Sequence, residues 1–348
     1  MSDIKKEVAI CFKPGKFTHS GSWAHPWIEY CKQNNISYNL IDGTDKDIIS
    51  IIKGYDVFLW HFTGFSFVNM LMARSILYSA KAMGLRIFPD FSEAWHFDDK
   101  IAENYLLDAI GAPIPNYHIF YNEEDVFKWL EDKDDYPFVA KLKNGSGSHN
   151  VKLIRTKKDA IKYTKRMFTK GYDSTPSLAF KASSNLKSSR SISTFINRIK
   201  RIPEFVKMRQ NASKFPKEKG YVYFQEFIPN DGFDLKVVVV GDKMGVIARK
   251  TRKGDFRASG GGDLFYDNTI INQNIVDIAF HVNDKLGFRC MGYDFVIDKN
   301  TGEGKIVEIS YGFSHTALLN AGGYFDRRGK WHNTPLNAPH EILKELVC

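Results

Sequence analysis

Along the first ninety residues the spacing of apolar positions switches repeatedly between two periods. Glu7–Phe12, Ser37–Asp42, Asp56–Phe62 and Leu85–Pro89 are short apolar runs that predict strands. Between them, Trp23–Asn34, Asp45–Lys53 and Phe67–Met83 predict helices. Strands separated by helices of about ten residues argue for an open parallel sheet with helices on its faces. Such sheets bind ligands beyond the carboxyl ends of their strands. Here that means the loop His19–Trp23 and the segments Asp42–Thr44 and Trp60–Gly64.

The texture changes after Lys100–Ile110, a helix stopped by Gly111-Ala112-Pro113. Asn116–Phe120 predicts a strand, Glu123–Leu130 a helix, and Tyr136–Leu142 a strand entering the loop Asn144–Ser148. Val151–Ile154 is the returning strand of that hairpin, and Lys157–Phe168 a helix. Ile192–Arg209 has the spacing of an amphipathic helix interrupted at Pro203. From Tyr221 the chain is strand-rich: YVYFQEF, LKVVVVGD and KMGVIARK, then a helix over Asn272–Leu286 and a hairpin made by MGYDFVID and KIVEIS. The pattern divides into an amino-terminal α/β domain over 1–95, an α+β subdomain over 96–227, and a second α+β subdomain over 228–348. A basic, Ser-rich insert occupies about 173–219.

Composition narrows the class. With 43% hydrophobic residues, including 27 Phe, 16 Tyr and 6 Trp, the chain has ample surface to bury, which excludes disorder throughout. No run approaches the roughly 20 apolar residues of a membrane-spanning helix, and the amino-terminal run reads as a strand rather than a signal peptide. Four scattered cysteines without a C-x-x-C pair argue against a disulfide framework or cysteine-held zinc, so a reducing cytoplasm is expected. The net charge of +9 is local: Asp173–Gly220 holds eleven Lys or Arg against three Asp or Glu. That segment reads either as a solvated surface excursion or as a platform for an anionic partner. A uronic-acid glycan, an acidic peptide or an acidic membrane face touched peripherally would suit it. Nucleic acid is disfavoured, because no recognised binding module accompanies the charge.

Three features carry chemistry. The loop Asn144–Ser148 follows Lys141 and Lys143, and Gly and Ser there would let backbone amides approach an anion. It is not a P-loop, since no Gly-Lys-Ser/Thr follows; the plainer alternative is a hairpin tip with exposed lysines. Asp294 and Glu308 are equidistant from Thr301, the centre of the expected turn, and so are expected to be cross-strand neighbours. Opposed like charges in apolar strands are unfavourable unless something positive lies between them. A hard cation such as Mg²⁺ would do this, with Ser310 adding an oxygen on the same side. The alternatives are a solvent-facing edge hairpin or pairing with nearby arginines. Arg249 and Lys250 alternate on one strand, so one faces inward, and a guanidinium there or at Arg257 suits a phosphoryl group or carboxylate.

In this order the features resemble the ATP-grasp superfamily. The matching residues are Lys100, Lys141 with the loop residues Gly145, Ser146, Gly147 and Ser148, and the hinge Gln225-Glu226-Phe227-Ile228. Asp234, Arg249, Arg257, Asp294 and Glu308 follow. The resemblance covers about 95–320. It implies ATP clamped between two α+β subdomains, with Lys100, Lys141 and the Gly-rich loop at the phosphates and Glu226–Ile228 at adenine, through backbone groups of Phe227 and Ile228. Asp231 or Asp234 would reach the ribose, and Asp294, Glu308 and Ser310 would hold Mg²⁺. Most relatives activate a carboxylate as an acyl phosphate and pass it to an amine, with an arginine such as Arg249 stabilising the transferring group. The implied substrates are small-molecule, glycan or peptide carboxylates and amines, and relatives are often oligomers. Two positions depart from the family: Ser310 and Ser259 stand where it carries Asn. Phosphotransfer to a small molecule, or nucleotide binding without catalysis, are the alternatives on the same fold. His61 and His315 are candidates for proton transfer, each against the plainer reading of a hydrogen-bonded structural histidine.

Overall fold

The alternation at the amino terminus builds a parallel sheet in the computed structural model, which describes residues 6–12, 22–64, 66–145, 151–174, 214–251, 256–257 and 263–348. Its strands are β1 (Glu7–Cys11), β2 (Ser37–Ile41), β3 (Val57–Leu59) and β4 (Arg86–Phe88), in the order β2-β1-β3-β4. Helices α1 (Ala24–Gln33), α2 (Ile48–Ile52) and α3 (Phe67–Ala82) connect them. β3 is buried along its whole length, as expected for an apolar strand covered on both faces. It stops three residues short of the expected Phe62. The Phe62 amide donates to Trp60 O, so the chain turns at His61 instead of extending the ladder.

A short helix α4 (Phe91–Ala94), absent from the sequence reading, is closed by a capping box between Asp90 and Glu93. Glu93 is fully buried, and its other oxygen accepts the amides of Arg289 and Cys290. Helix α5 (Lys100–Ala109) then leads into the antiparallel lid: β5 (Tyr117–Phe120), α6 (Glu123–Glu131), β6 (Phe138–Lys141), β7 (Val151–Ile154) and α7 (Lys157–Met167). The pair β8 (Tyr172–Asp173) and β9 (Lys217–Glu218) brackets the basic segment, and β10 (Val222–Glu226) completes the lid in the order β5-β10-β6-β7. The helix expected over Ile192–Arg209 lies outside the described residues, as does most of the insert.

The third sheet contains β11 (Phe233–Val240), β12 (Lys243–Lys250), β13 (Leu264–Phe265), β14 (Cys290–Ile297) and β15 (Gly304–Ser310). With β16 (Tyr324–Phe325) and β17 (Trp331–His332) it runs β15-β14-β11-β12-β16-β17, and β13 pairs with β12. Helices α8 (Gln273–Leu286), α9 (His315–Asn320) and α10 (Ala338–Val347) accompany it. Gly287, at φ +62°, ends α8 in the left-handed conformation glycine adopts without strain.

Hydrophobic burial forms two cores where there are three large sheets. The parallel sheet and the carboxyl-terminal sheet share one core, running from Val8 to Leu346. Polar contacts seal that junction: Trp23 Nε1 donates to Phe313 O, Trp27 Nε1 to Pro339 O, and Arg86 to Leu346 O. The lid has its own smaller core around Phe138, Tyr163 and Phe224. Among the described residues, no helix is long and apolar enough to cross a membrane.

Candidate active site

One face of the carboxyl-terminal sheet carries a row of alternating charges. Asp234 on β11 opposes Arg249 on β12, and Lys236 opposes Asp294 on β14. Asp294 in turn opposes Glu308 on β15, and Gly292 opposes Ser310. Because side chains alternate along a strand, Asp234 and Lys236 share this face. The carboxylate pair owes its register to a bulge. Ile297 pairs with Gly304 and Phe295 with Ile306, so Val307 is extra and Glu308, not Val307, reaches Asp294. The expected neighbour relation therefore holds through a turn centred slightly earlier than Thr301 plus one bulged residue.

Arg249 grips both carboxylates beside it. Its Nε and Nη2 donate to the two oxygens of Asp234 at 2.6 and 3.0 Å, and Nη2 lies 2.9 Å from Asp294 Oδ2. Lys236 contacts the other Asp294 oxygen. Burial opposes ionisation of Asp294, but Arg249 and Lys236 outweigh it and hold its pKa down at about 2. Asp234 goes the other way: burial, reinforced by Asp294 and opposed by Arg249, pushes it up to about 6. Both oxygens of Asp234 thus accept from Arg249. Of the two basic residues ending β12, Arg249 faces inward, while Lys250 is exposed and stands over Phe265.

Two lysines meet this row from the lid side. Lys100, the first residue of α5, is 3% exposed; its Nζ donates to Gly145 O at 2.6 Å and lies 3.7 Å from Glu308 Oε1. Burial disfavours its charge, yet Glu308, Asp98, Glu103 and Asp294 together raise its pKa. Lys141 donates to Val307 O, the carbonyl of the bulged residue, at 3.0 Å. For Lys141 burial prevails and, with help from Lys100, lowers its pKa to about 8 against the pull of Glu308.

The root of the Gly/Ser loop is strapped to the start of α5. The Lys100 amide donates to Lys143 O, Lys143 Nζ pairs with Asp99 at 3.1 Å, and the Gly145 amide donates to Asp98 Oδ1 at 3.1 Å. Gly145 holds φ +119°, which suits glycine alone. Ser146, Gly147 and Ser148 lie outside the described residues.

The remaining expected site residues are dispersed. Gln225 is buried inside the lid, where Nε2 donates to Tyr223 OH at 3.1 Å and Asn104 Oδ1 at 3.4 Å. Glu226 is exposed and accepts both nitrogens of Asn116. Phe227 meets Phe256 edge-on, and Ile228 O accepts from Asn230. Asp231 is exposed on the following turn. Arg257 reaches the lid hairpin, donating to Val151 O at 3.4 Å, so it stands apart from Arg249. Ser310 shares the row's face, but its hydroxyl donates to Gly312 O and accepts the Gly312 amide. His61 stacks on Trp23 at 4.7 Å and His315 meets the same indole edge-on at 6.4 Å, placing both in the aromatic junction of the two sheets.

Three residues of this site escaped the sequence reading. Lys236 was readable, since it falls two positions after Asp234 on a strand. Glu103, which accepts the Ile309 amide at 3.3 Å, falls one helical turn after Lys100. Asp98 had no local signal; it adopts φ +57° because Gly145 and Gly64 close around it.

The donor set suits a hard divalent ion. Asp294 and Glu308 stand opposite each other on neighbouring strands, and among the described residues no cluster of three His, Cys, Asp or Glu exists that would enclose a metal unaided. Two carboxylates leave most of a Mg²⁺ sphere to water and phosphate oxygens, which is how Mg²⁺ is held beside nucleotides.

No family model matches the sequence. A tetrahydromethanopterin:alpha-L-glutamate ligase of Methanosarcina acetivorans is 30% identical over 128 residues, 32% of this chain; the match spans 39% of that relative's length. Among solved structures, a RimK domain ATP-grasp protein of Sphaerobacter thermophilus has a TM-score of 0.55 at 14% identity, covering 98% of this chain and 99% of that one. A D-alanine–D-alanine ligase of Bacillus anthracis complexed with ATP has a TM-score of 0.57 at 11% identity, covering 98% and 96%.

Proposed function

We propose, from the premise that the chain has the ATP-grasp fold, that it is an ATP- and Mg²⁺-dependent, ADP-forming ligase. It would activate a carboxylate as an acyl phosphate and join it to an amine. One observation carries the reading: Lys100 and Lys141 converge from the lid on the carboxylate-bearing hairpin of β14 and β15, at 3.7 Å from Glu308 and 3.0 Å from Val307 O. Cations on one side and paired hard ligands on the other suit a polyphosphate and its metal.

In this reading Lys100 and Lys141 hold phosphate oxygens, and the loop rooted at Gly145 closes over them. Asp294 and Glu308 hold Mg²⁺, which when bound neutralises charge on the transferring phosphoryl group. Arg249, fixed by Asp234, orients the phosphoryl acceptor and stabilises developing negative charge. The hinge Glu226–Ile228 lies beside adenine, and Arg257 acts from the lid. The glutamate ligase relative supports an amino acid as the amine, and the basic segment supports an anionic acceptor.

The test is turnover of MgATP with hydroxylamine across a panel of amino acids, uronic acids and short acidic peptides. The expected result is ADP together with a hydroxamate that depends on one carboxylate. Substrate-dependent ADP with no hydroxamate would replace the ligase by a phosphotransferase.

A further inference from the structure

The charge row contains one residue that neither the phosphate nor the metal assignment uses. Lys236 sits directly across the β11–β14 ladder from Asp294, and its ammonium contacts Asp294 Oδ1. Arg249 takes Oδ2 at 2.9 Å. Both oxygens of the most buried carboxylate of the row therefore already face a cation. Within the row, Asp234, Asp294 and Glu308 stand against Arg249, Lys236 and Lys100, with Lys141, Asp98 and Glu103 beside them. A bare dication approaching Asp294 therefore meets, at close range, the ammonium of Lys236 and the guanidinium of Arg249.

The two cations on Asp294 differ in how readily they yield. Arg249 is clamped by Asp234 through two donors, besides its contact with Asp294. Lys236 carries a point charge on a flexible stem that can swing to another acceptor. The neighbouring strand is shaped for that stem. At Gly292 a Cβ would stand 3.3 Å from Lys236 Cδ and 3.0 Å from Ser310 O, so a side chain there would crowd both.

We infer that Lys236 is a tethered counter-ion that competes with the divalent cation for Asp294, so that metal enters this site with the nucleotide and not ahead of it. A triphosphate brings negative charge of its own for the arriving dication. It also gives the ammonium a second set of oxygens, freeing Asp294 Oδ1 for the metal. Lys236 is thus a positioning residue whose effect falls on the order of binding. The inference rests on the assignment of Asp294 to the metal and, for the joint entry, on the nucleotide reading above.

The test titrates Mn²⁺ with the full chain, reading nucleotide-free binding from the free-ion electron paramagnetic resonance signal and binding with an ATP analogue from water proton relaxation against a protein-free Mn²⁺–analogue control. The native protein is expected to leave Mn²⁺ free without nucleotide and to take it up with a non-hydrolysable ATP analogue. Lys236→Met should bind Mn²⁺ without nucleotide at least about tenfold more tightly than the native chain. Adding Glu308→Gln to that variant should abolish the gain. Lys236→Gln, which keeps a polar end, repeats the measurement if the methionine variant does not fold. Nucleotide-free uptake by the native chain equal to that of the variants overturns the inference, as does a gain that survives Glu308→Gln. Failure of the native chain to bind Mn²⁺ even with the analogue overturns the ATP reading and the joint entry; the counter-ion role is then decided by the nucleotide-free titrations alone.

Discussion

Lys100 and Lys141 are both buried cations beside Glu308, yet their protonation is biased in opposite directions. Four carboxylates surround Lys100, whereas burial and the Lys100 charge dominate at Lys141, whose pKa falls to about 8. Lys141 is therefore charged below about pH 8 and progressively neutral above it. Since a polyphosphate prefers the charged form, ATP affinity should fall by up to about tenfold per pH unit above 8, with proton uptake on binding. Calorimetry in buffers of different ionisation enthalpy reads that uptake. Lys141→Arg, which stays protonated, should flatten the profile; an unchanged slope would remove Lys141 from the phosphates. Glu308 offers a second residue-level test. Its side chain is 28% exposed and caps no helix, so Glu308→Gln should keep the melting temperature within a few degrees. Mg²⁺-dependent turnover should nevertheless drop by at least about a hundredfold.

At the scale of elements, the bulge in β15 links the carboxylate register to the lid, because the extra residue Val307 supplies the carbonyl that Lys141 holds. Deleting Val307 would restore a regular ladder with Asp294 still opposite Glu308 and Phe295 still opposite Ile306. The expected outcome is a folded protein with a melting temperature within a few degrees of native but about tenfold weaker ATP binding. A deletion variant that binds ATP normally would show that Val307 O does not aim Lys141. The same bulge marks the limit of what sequence reveals. Alternation identified Arg249 as a candidate for the inward face from local strand geometry alone, whereas spacing about Thr301 identified the Asp294–Glu308 neighbours because an earlier turn centre and the extra Val307 offset each other. The bulge and the left-handed Asp98 depend on partners about 166 and 47 residues away in sequence, and no local pattern encodes them. Within the hinge, Gln225 reads as a polar residue at a strand end, but its amide bonds Asn104 and Tyr223 inside the lid. Helix α10 did carry its signals, Asn337 as cap and Pro339 in the first turn, and went unread.

Across the whole molecule, hydrophobic burial divides the chain into two cores rather than three sheets. The parallel sheet is sealed to the carboxyl-terminal sheet by Glu93, Trp23, Trp27 and Arg86, so these two share one stability. The lid core is smaller and is joined to the body by one helix, α5, with Ile101 in the lid core and Leu107 in the body core, and by polar contacts: Lys100 and Lys141 to the β15 hairpin, Glu103 to the Ile309 amide, and Ile306 N to Pro113 O. Polar contacts to a single strand couple two cores less tightly than shared apolar burial does. Without nucleotide, the lid should therefore open or melt before the body, visible as a leading calorimetric transition and faster amide exchange over Val222–Gln225 than over Val237–Val239. A ligand seated on both sides of the cleft adds about 2.7 kcal/mol to the lid at a hundred times its dissociation constant, enough to merge the two transitions. Exchange at Val222–Gln225 should slow accordingly when MgATP analogue is added, while Val237–Val239 stays as it was. Protection confined to the body would instead mean that nucleotide binds without engaging the lid, and would take Lys141 and the Gly145 loop out of the site.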